Sequence, residues 1–169
     1  MKILIVVDMQ NDFIDGALGT PEAVSIVPNV IKKIKEYEKS GDVIIYTKDT
    51  HFDNYFDTRE GENLPVKHCI KGTPGHDIPS DILRGHTDVI EKLTFGSVDL
   101  VKKLSELDFD EIELVGLCTD ICVVSNALLI KASFPEKEIS VDSSCCAGVT
   151  PDTHNAALAT MKMCQIRIN

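Results

Sequence analysis

Short β-branched runs alternate along the chain with segments whose apolar residues recur at helical spacing. Ile3, Leu4, Ile5, Val6 and Val7 form an unbroken apolar stretch, the pattern of a strand buried on both faces. Similar runs predict strands at residues 3–8, 43–47, 88–92, 111–115, 138–142 and 165–168, and helical spacing predicts helices at about 27–40, 97–107, 120–133 and 152–163. In the first helix Val27, Val30, Ile31, Ile34 and Tyr37 make one stripe with lysines opposite, and Ser40-Gly41-Asp42 supplies the stop. Strands joined by crossover helices pair in parallel. The expected fold is therefore α/β, a doubly wound, Rossmann-like three-layer sandwich around a six-stranded, mainly parallel sheet. The link at 49–82 breaks the alternation, and its length and richness in His, Asp, Gly and Pro mark it as a functional loop.

Composition narrows the function classes. A chain of 169 residues suits one domain spanning 1–169. With 43% hydrophobic residues and no apolar run near the roughly 20 residues that span a bilayer, it reads as a globule without membrane contact. The apolar opening is shorter than a signal peptide and ends in Asp8, so a cytoplasmic location is expected. Twenty-seven acidic against seventeen basic residues give a net charge of −10, which excludes a phosphate backbone as partner. Six cysteines, at 69, 118, 122, 145, 146 and 164, form no secreted-domain framework and should be reduced. Cys118 and Cys122, without a second pair at zinc-ribbon spacing, are a weak metal signal.

Ligands of an open parallel sheet sit beyond the carboxyl ends of the strands, where residues distant in sequence meet. Asp8 ends the first strand, Lys92 the third, and Cys122 follows the fourth, in the first turn of the predicted helix. A helix N-terminus favours thiolate, the attacking form. Singly, a strand-end Asp often caps a turn and a strand-end Lys is often only solvated. Together, the three make a nucleophile with a base and an orienting cation. A second group lies in the long link: Asp49 and His51 alternate in extended chain and share a side, and His68 follows. One carboxylate with two imidazoles suits zinc, iron or manganese.

Three motifs carry a resemblance over almost the whole chain. Asp8-Met9-Gln10-Asn11-Asp12-Phe13, Lys92-Leu93-Thr94-Phe95-Gly96-Ser97 and Gly116-Leu117-Cys118-Thr119-Asp120-Ile121-Cys122-Val123 resemble those of the isochorismatase-like cysteine hydrolases, within them the nicotinamidase/pyrazinamidase branch. The resemblance implies catalytic roles for Asp8, Lys92 and Cys122, a cis peptide between Leu117 and Cys118, and an oxyanion hole from the N–H groups of Cys118 and Cys122. It implies substrate contacts at Phe13 and Leu117. It also implies one divalent metal ion, zinc first with iron or manganese as alternatives, on Asp49, His51 and His68, with Glu60 or Glu62 as an additional ligand. The activity implied is hydrolysis of a small amide such as nicotinamide to its acid and ammonia through a thioester, by a homo-oligomer. Two departures stand out: Cys118 occupies a position where the family more often has Ala, and packs there or cross-links to Cys122 on oxidation; and the chain has no Trp to cover the ring, leaving Phe52, Tyr55, Phe56 or Phe95. The alternatives are another amidase of the superfamily, a vinyl-ether hydrolase resembling isochorismatase, and a thiol redox or ligand-binding protein using Cys118 and Cys122. His154 is expected to be structural, and His76 and His86 to lie at the surface.

Overall fold

In the computed structural model of residues 1–169, all five apolar residues of strand β1 (Lys2–Val7) are fully buried. Ile3, Ile5 and Val7 face one core and Leu4 and Val6 the other, so the strand lies at the centre of a sheet covered on both sides. The elements follow as α1 (Asn11–Ile14), α2 (Pro21–Ser40), β2 (Val43–Asp49), α3 (Arg59–Asn63), α4 (Ser80–Leu83), β3 (Val89–Lys92), α5 (Val98–Ser105), β4 (Glu111–Leu117), α6 (Val124–Ser133), β5 (Glu138–Ala147), α7 (Pro151–Met163) and β6 (Arg167–Ile168). Every pairing is parallel and the strand order is β3-β2-β1-β4-β5-β6. The order reverses between β1 and β4, which opens a crevice at their carboxyl ends. No helix is long and apolar enough to cross a membrane.

Several boundaries differ from the sequence expectation, each for a local reason. Helix α2 starts at Pro21, six residues before the predicted start at 27, because the Thr20 hydroxyl accepts the Ala23 N–H at 3.0 Å and Pro21 takes the first position; Pro28 is tolerated within it. Strand β5 continues past 142 to Ala147 through a register shift against β4 between Leu114 and Gly116. The long link is not irregular throughout, since it holds α3, α4 and a bridge between His51 and Ile70.

Beneath α2 the core contains a polar cluster. The Lys33 ammonium meets Glu113 at 3.1 Å and Asp142 at 2.8 Å, and Tyr37 Oη and Asn169 Nδ2 donate to the two oxygens of Glu113. Burial works to raise the Asp142 carboxyl, but Lys33 and Ser144 outweigh it and hold the group below the usual range. A depressed carboxyl contributes stability that is complete above its unfolded pKa of about 3.9 and is lost as pH falls through its lower folded value. Denaturant unfolding at a series of pH values should therefore show stability falling below about pH 4, with a shallower fall in Lys33→Met. Equal slopes in the two proteins would remove Lys33 from this account.

Candidate active site

Asp8 follows β1 directly, in a left-handed conformation (φ 46°) that short polar side chains tolerate better than most. Opposite Val7, Gly116 has φ 119°, and a Cβ there would stand 2.1 Å from the Val7 carbonyl oxygen. Only glycine lets β4 press this closely on β1, and that approach brings the turn after β4 against Asp8. The turn contains a cis peptide between Leu117 and Cys118, as the resemblance implied, and then a π-helical segment, Thr119–Val123, ahead of α6. Cys122 thus sits in a wide π turn and not in the first turn of a regular α-helix as predicted.

The three strand-end residues converge. The Lys92 ammonium lies 2.6 Å from Asp8 Oδ2, 3.4 Å from Cys122 Sγ and 3.3 Å from Asp49 Oδ1, and donates to the Thr94 carbonyl at 3.0 Å. The fully buried Thr47 hydroxyl donates to Asp8 Oδ1 at 2.6 Å. Asp8 Oδ2 meets the ammonium as a buried ion pair and has no other polar partner.

Electrostatics correct one expectation. Burial, then the Asp8 charge, pushes the Cys122 thiol well above its ordinary pKa, with Lys92 opposing. Burial likewise raises Asp8 against the pull of Lys92. Burial beside a carboxylate thus favours the thiol, against the thiolate that a helix N-terminus alone would favour. The proton has an acceptor within the site.

Beside this group Asp49, His51, Glu60 and His68 bring four donor atoms within 4.8 Å of one another. His51 Nε2 is 2.8 Å from Asp49 Oδ2, and His68 Nε2 is 3.5 Å from both Asp49 Oδ2 and Glu60 Oε1. Donors sharing a tetrahedral ion at about 2.0–2.2 Å stand roughly 3.4 Å apart, so the set fits a divalent metal. The His68 Nδ1–H donates to the Val66 carbonyl at 2.8 Å, which turns Nε2 to the cluster. Burial opposes protonation of the imidazoles, yet Asp49 and Glu60 lift His51 to about 9 and His68 to about 10. The same concentration of negative charge favours a divalent cation in place of those protons. Of the two acidic candidates the structure brings in Glu60; Glu62 points away to Arg59 at 2.8 Å.

Both groups open on one cavity of about 220 Å³, walled by Phe13, Leu117, Leu18, Phe95, Ile121 and Val149, with Asp49, Glu60, His68, Cys118 and Cys122 also reaching it. Phe13 and Leu117 line it as expected, and the Phe13 ring is 5.5 Å from that of His68. Of the aromatics considered for covering a ring, Phe95 is in the wall; Tyr55 instead packs behind His51 and His68. His154 accepts from or donates to the Thr119 hydroxyl at 2.7 Å, behind the nucleophile turn. His76 is not a surface residue: it is buried, with Nε2 2.8 Å from the Thr50 hydroxyl. His86 is partly buried against Glu38.

Sequence inspection missed Thr47 and the part played by Gln10. The buried Gln10 carboxamide donates to the carbonyls of Asp49 and His76 at 2.8 and 2.9 Å and accepts the Asp49 N–H at 2.7 Å, clamping the backbone that presents Asp49. Gln10→Leu leaves these groups unpaired. Its zinc affinity in a chelator-competition titration is expected to weaken about tenfold or more, as for other outer supports of metal ligands. An unchanged affinity would separate Gln10 from the cluster.

The isochorismatase domain family matches residues 2–168. The nicotinamidase/pyrazinamidase of Mycobacterium tuberculosis is 28% identical over 191 residues, covering 99% of this chain and 98% of that protein. An uncharacterized isochorismatase family protein PncA of Bacillus subtilis is 33% identical over 141 residues, covering 75% of this chain and 76% of that one. A pyrazinamidase of Pyrococcus horikoshii, solved in complex with zinc, superposes with a TM-score of 0.85 at 31% identity over 99% of this chain and 98% of that chain. With the fold, the strand-end triad and a family match over nearly its whole length, the chain belongs to the isochorismatase family.

Proposed function

We propose that this protein is a cysteine amidohydrolase of the nicotinamidase type, converting nicotinamide or a close heteroaromatic amide to the acid and ammonia. The observation that carries the proposal is the meeting of Cys122 Sγ, the Lys92 ammonium and Asp8 at a cavity that also receives Asp49, Glu60 and His68. The relatives named nicotinamidase/pyrazinamidase support the same substrate class.

The thiol proton passes to Asp8 as the sulfur adds to the carboxamide carbon, while the ammonium of Lys92 stays between sulfur and carboxylate. The backbone N–H groups of Cys118 and Cys122 take the oxyanion; such donors are worth roughly 3–4 kcal/mol each. Asp8 then delivers its proton to the departing amine, releasing ammonia and leaving a thioester. Water attacks that thioester, losing its proton to Asp8, and the proton returns to sulfur as the acid leaves. Phe13 and Leu117 hold the ring in the apolar part of the cavity. Asp49, His51 and His68, with Glu60 as an additional donor, would hold a divalent ion, zinc by its fit to imidazole and carboxylate donors; in a shell that admits one ligand more, the ion would supply a Lewis-acid anchor for a ring nitrogen. This ligand set favours the amidase over a vinyl-ether hydrolase, whose chemistry needs no such anchor.

Ammonia release from nicotinamide and a panel of small amides tests the proposal. Nicotinamide should be turned over, the rate should collapse after chelation, and added zinc should restore it. No ammonia from any amide would overturn the assignment, and chelation without effect would remove the metal from it.

A further inference from the structure

Asn126 lies on the third residue of α6, fully buried among apolar neighbours, and nothing in the proposed mechanism uses it. Its carboxamide is nonetheless saturated. Oδ1 accepts the Ser97 N–H at 2.9 Å, and Nδ2 donates to the carbonyls of Cys122 at 2.8 Å and Phe95 at 3.1 Å. Two carbonyls on one side and an N–H on the other leave only one orientation of the amide that satisfies all three.

Each partner belongs to the site. Cys122 carries the nucleophilic sulfur, and Phe95 forms part of the cavity wall. Ser97 caps α5, its hydroxyl accepting the Leu100 N–H at 3.1 Å. The intervening segment also supplies the Thr94 carbonyl to which Lys92 donates. This segment is poorly held by apolar packing: Leu93, Phe95 and Val98 are 69%, 41% and 74% exposed. What fixes it is polar, the Lys92 ammonium at Thr94 and the Asn126 carboxamide at Phe95 and Ser97.

We propose that Asn126 is a positioning residue that ties the segment at 93–97 to the nucleophile turn and so sets the Phe95 wall against which the aromatic ring of the substrate rests. It acts through Phe95 and does not touch the reacting atoms. The substrate part rests on the amidase assignment, whereas the structural part does not. Asn126→Ala leaves a buried N–H and two carbonyls without this partner.

Two measurements decide it. In amide hydrogen exchange on the folded Asn126→Ala protein, the Ser97 amide and the Leu100 and Val101 amides that bond to Ser97 should exchange about tenfold faster or more, with those of β1 and β4 unchanged. Unchanged exchange at these amides would overturn the proposal, as would acceleration spread evenly over the sheet. A double-mutant cycle with Phe95→Ala then tests the coupling. Asn126→Ala should raise KM for nicotinamide about tenfold with a smaller change in kcat, and should add little in the Phe95→Ala background. Independent, multiplying effects on KM would overturn the role at the wall. A wild-type protein that hydrolyses no amide would defeat the amidase assignment by itself, and the exchange pattern would still decide whether Asn126 holds the segment. If Asn126→Ala does not fold, Asn126→Ser serves in both measurements, because one short hydroxyl buries no charge and cannot reach all three partners at once.

Discussion

Cys122→Ala is expected to lose ammonia release by about 10⁴-fold or more while keeping its fold, the scale seen when a covalent nucleophile is removed. Without the sulfur no thioester forms, and neither Asp8 nor Lys92 is placed to substitute. Both remain paired in the variant, since the 2.6 Å contact between them does not involve the thiol. The structural cost is confined to one buried sulfur at the edge of the core cluster that also holds Val123 and Ala127, about 1 kcal/mol or a little more. Thermal unfolding should then show a small shift and the ammonia assay a near-complete loss. Turnover within about tenfold of wild type would mean that the chemistry does not run through this sulfur.

How much of this was legible beforehand depended on the range over which each feature is determined. The doubly wound order followed from strings such as Ile3 to Val7, because a strand buried on both faces must be apolar throughout and the crossover rule leaves few topologies. Asp8, Lys92 and Cys122 were readable for a related reason: each ends or follows a strand, and parallel strands deliver their ends to one edge. Asp49 and His51 came from the two-residue period of extended chain. The features that were not legible arise from tertiary context. The push of Cys122 toward the thiol form depends on how deeply the assembled site buries the sulfur. His76 looked like a polar loop residue, and is buried because Thr50 takes its ring and Gln10 its carbonyl. The choice of Glu60 over Glu62 turns on the short helix α3, which directs one carboxylate inward and the other to Arg59. Asn126 did leave a trace, a lone amide on a helix otherwise rich in apolar residues, but its partners at Phe95 and Ser97 are 31 and 29 residues away and only the fold names them.

Lys92→Met should be the most destabilising single change in the site. The ammonium is almost wholly buried and is the cation paired with Asp8, and the charges of Asp8 and Asp49 hold it protonated although burial works against them. A methionine of similar length fills the space but leaves the buried Asp8 carboxylate without a cation, whereas Asp49 keeps His51 and His68 beside it. Breaking a buried ion pair from one side costs about 3–5 kcal/mol, a large share of the 5–15 kcal/mol that holds a typical domain together. Asp8 would respond by taking up a proton, which removes its unpaired charge and also the base that the thiol needs. Denaturant unfolding of chelator-treated protein should show this loss, and Asp8→Asn combined with Lys92→Met should recover part of it, because the second change removes the charge that the first left unpaired. The double variant would regain stability without activity. If Lys92→Met instead unfolds within about 1 kcal/mol of wild type, the ammonium is not balancing the Asp8 carboxylate, and its contact with Cys122 would have to be explained without it.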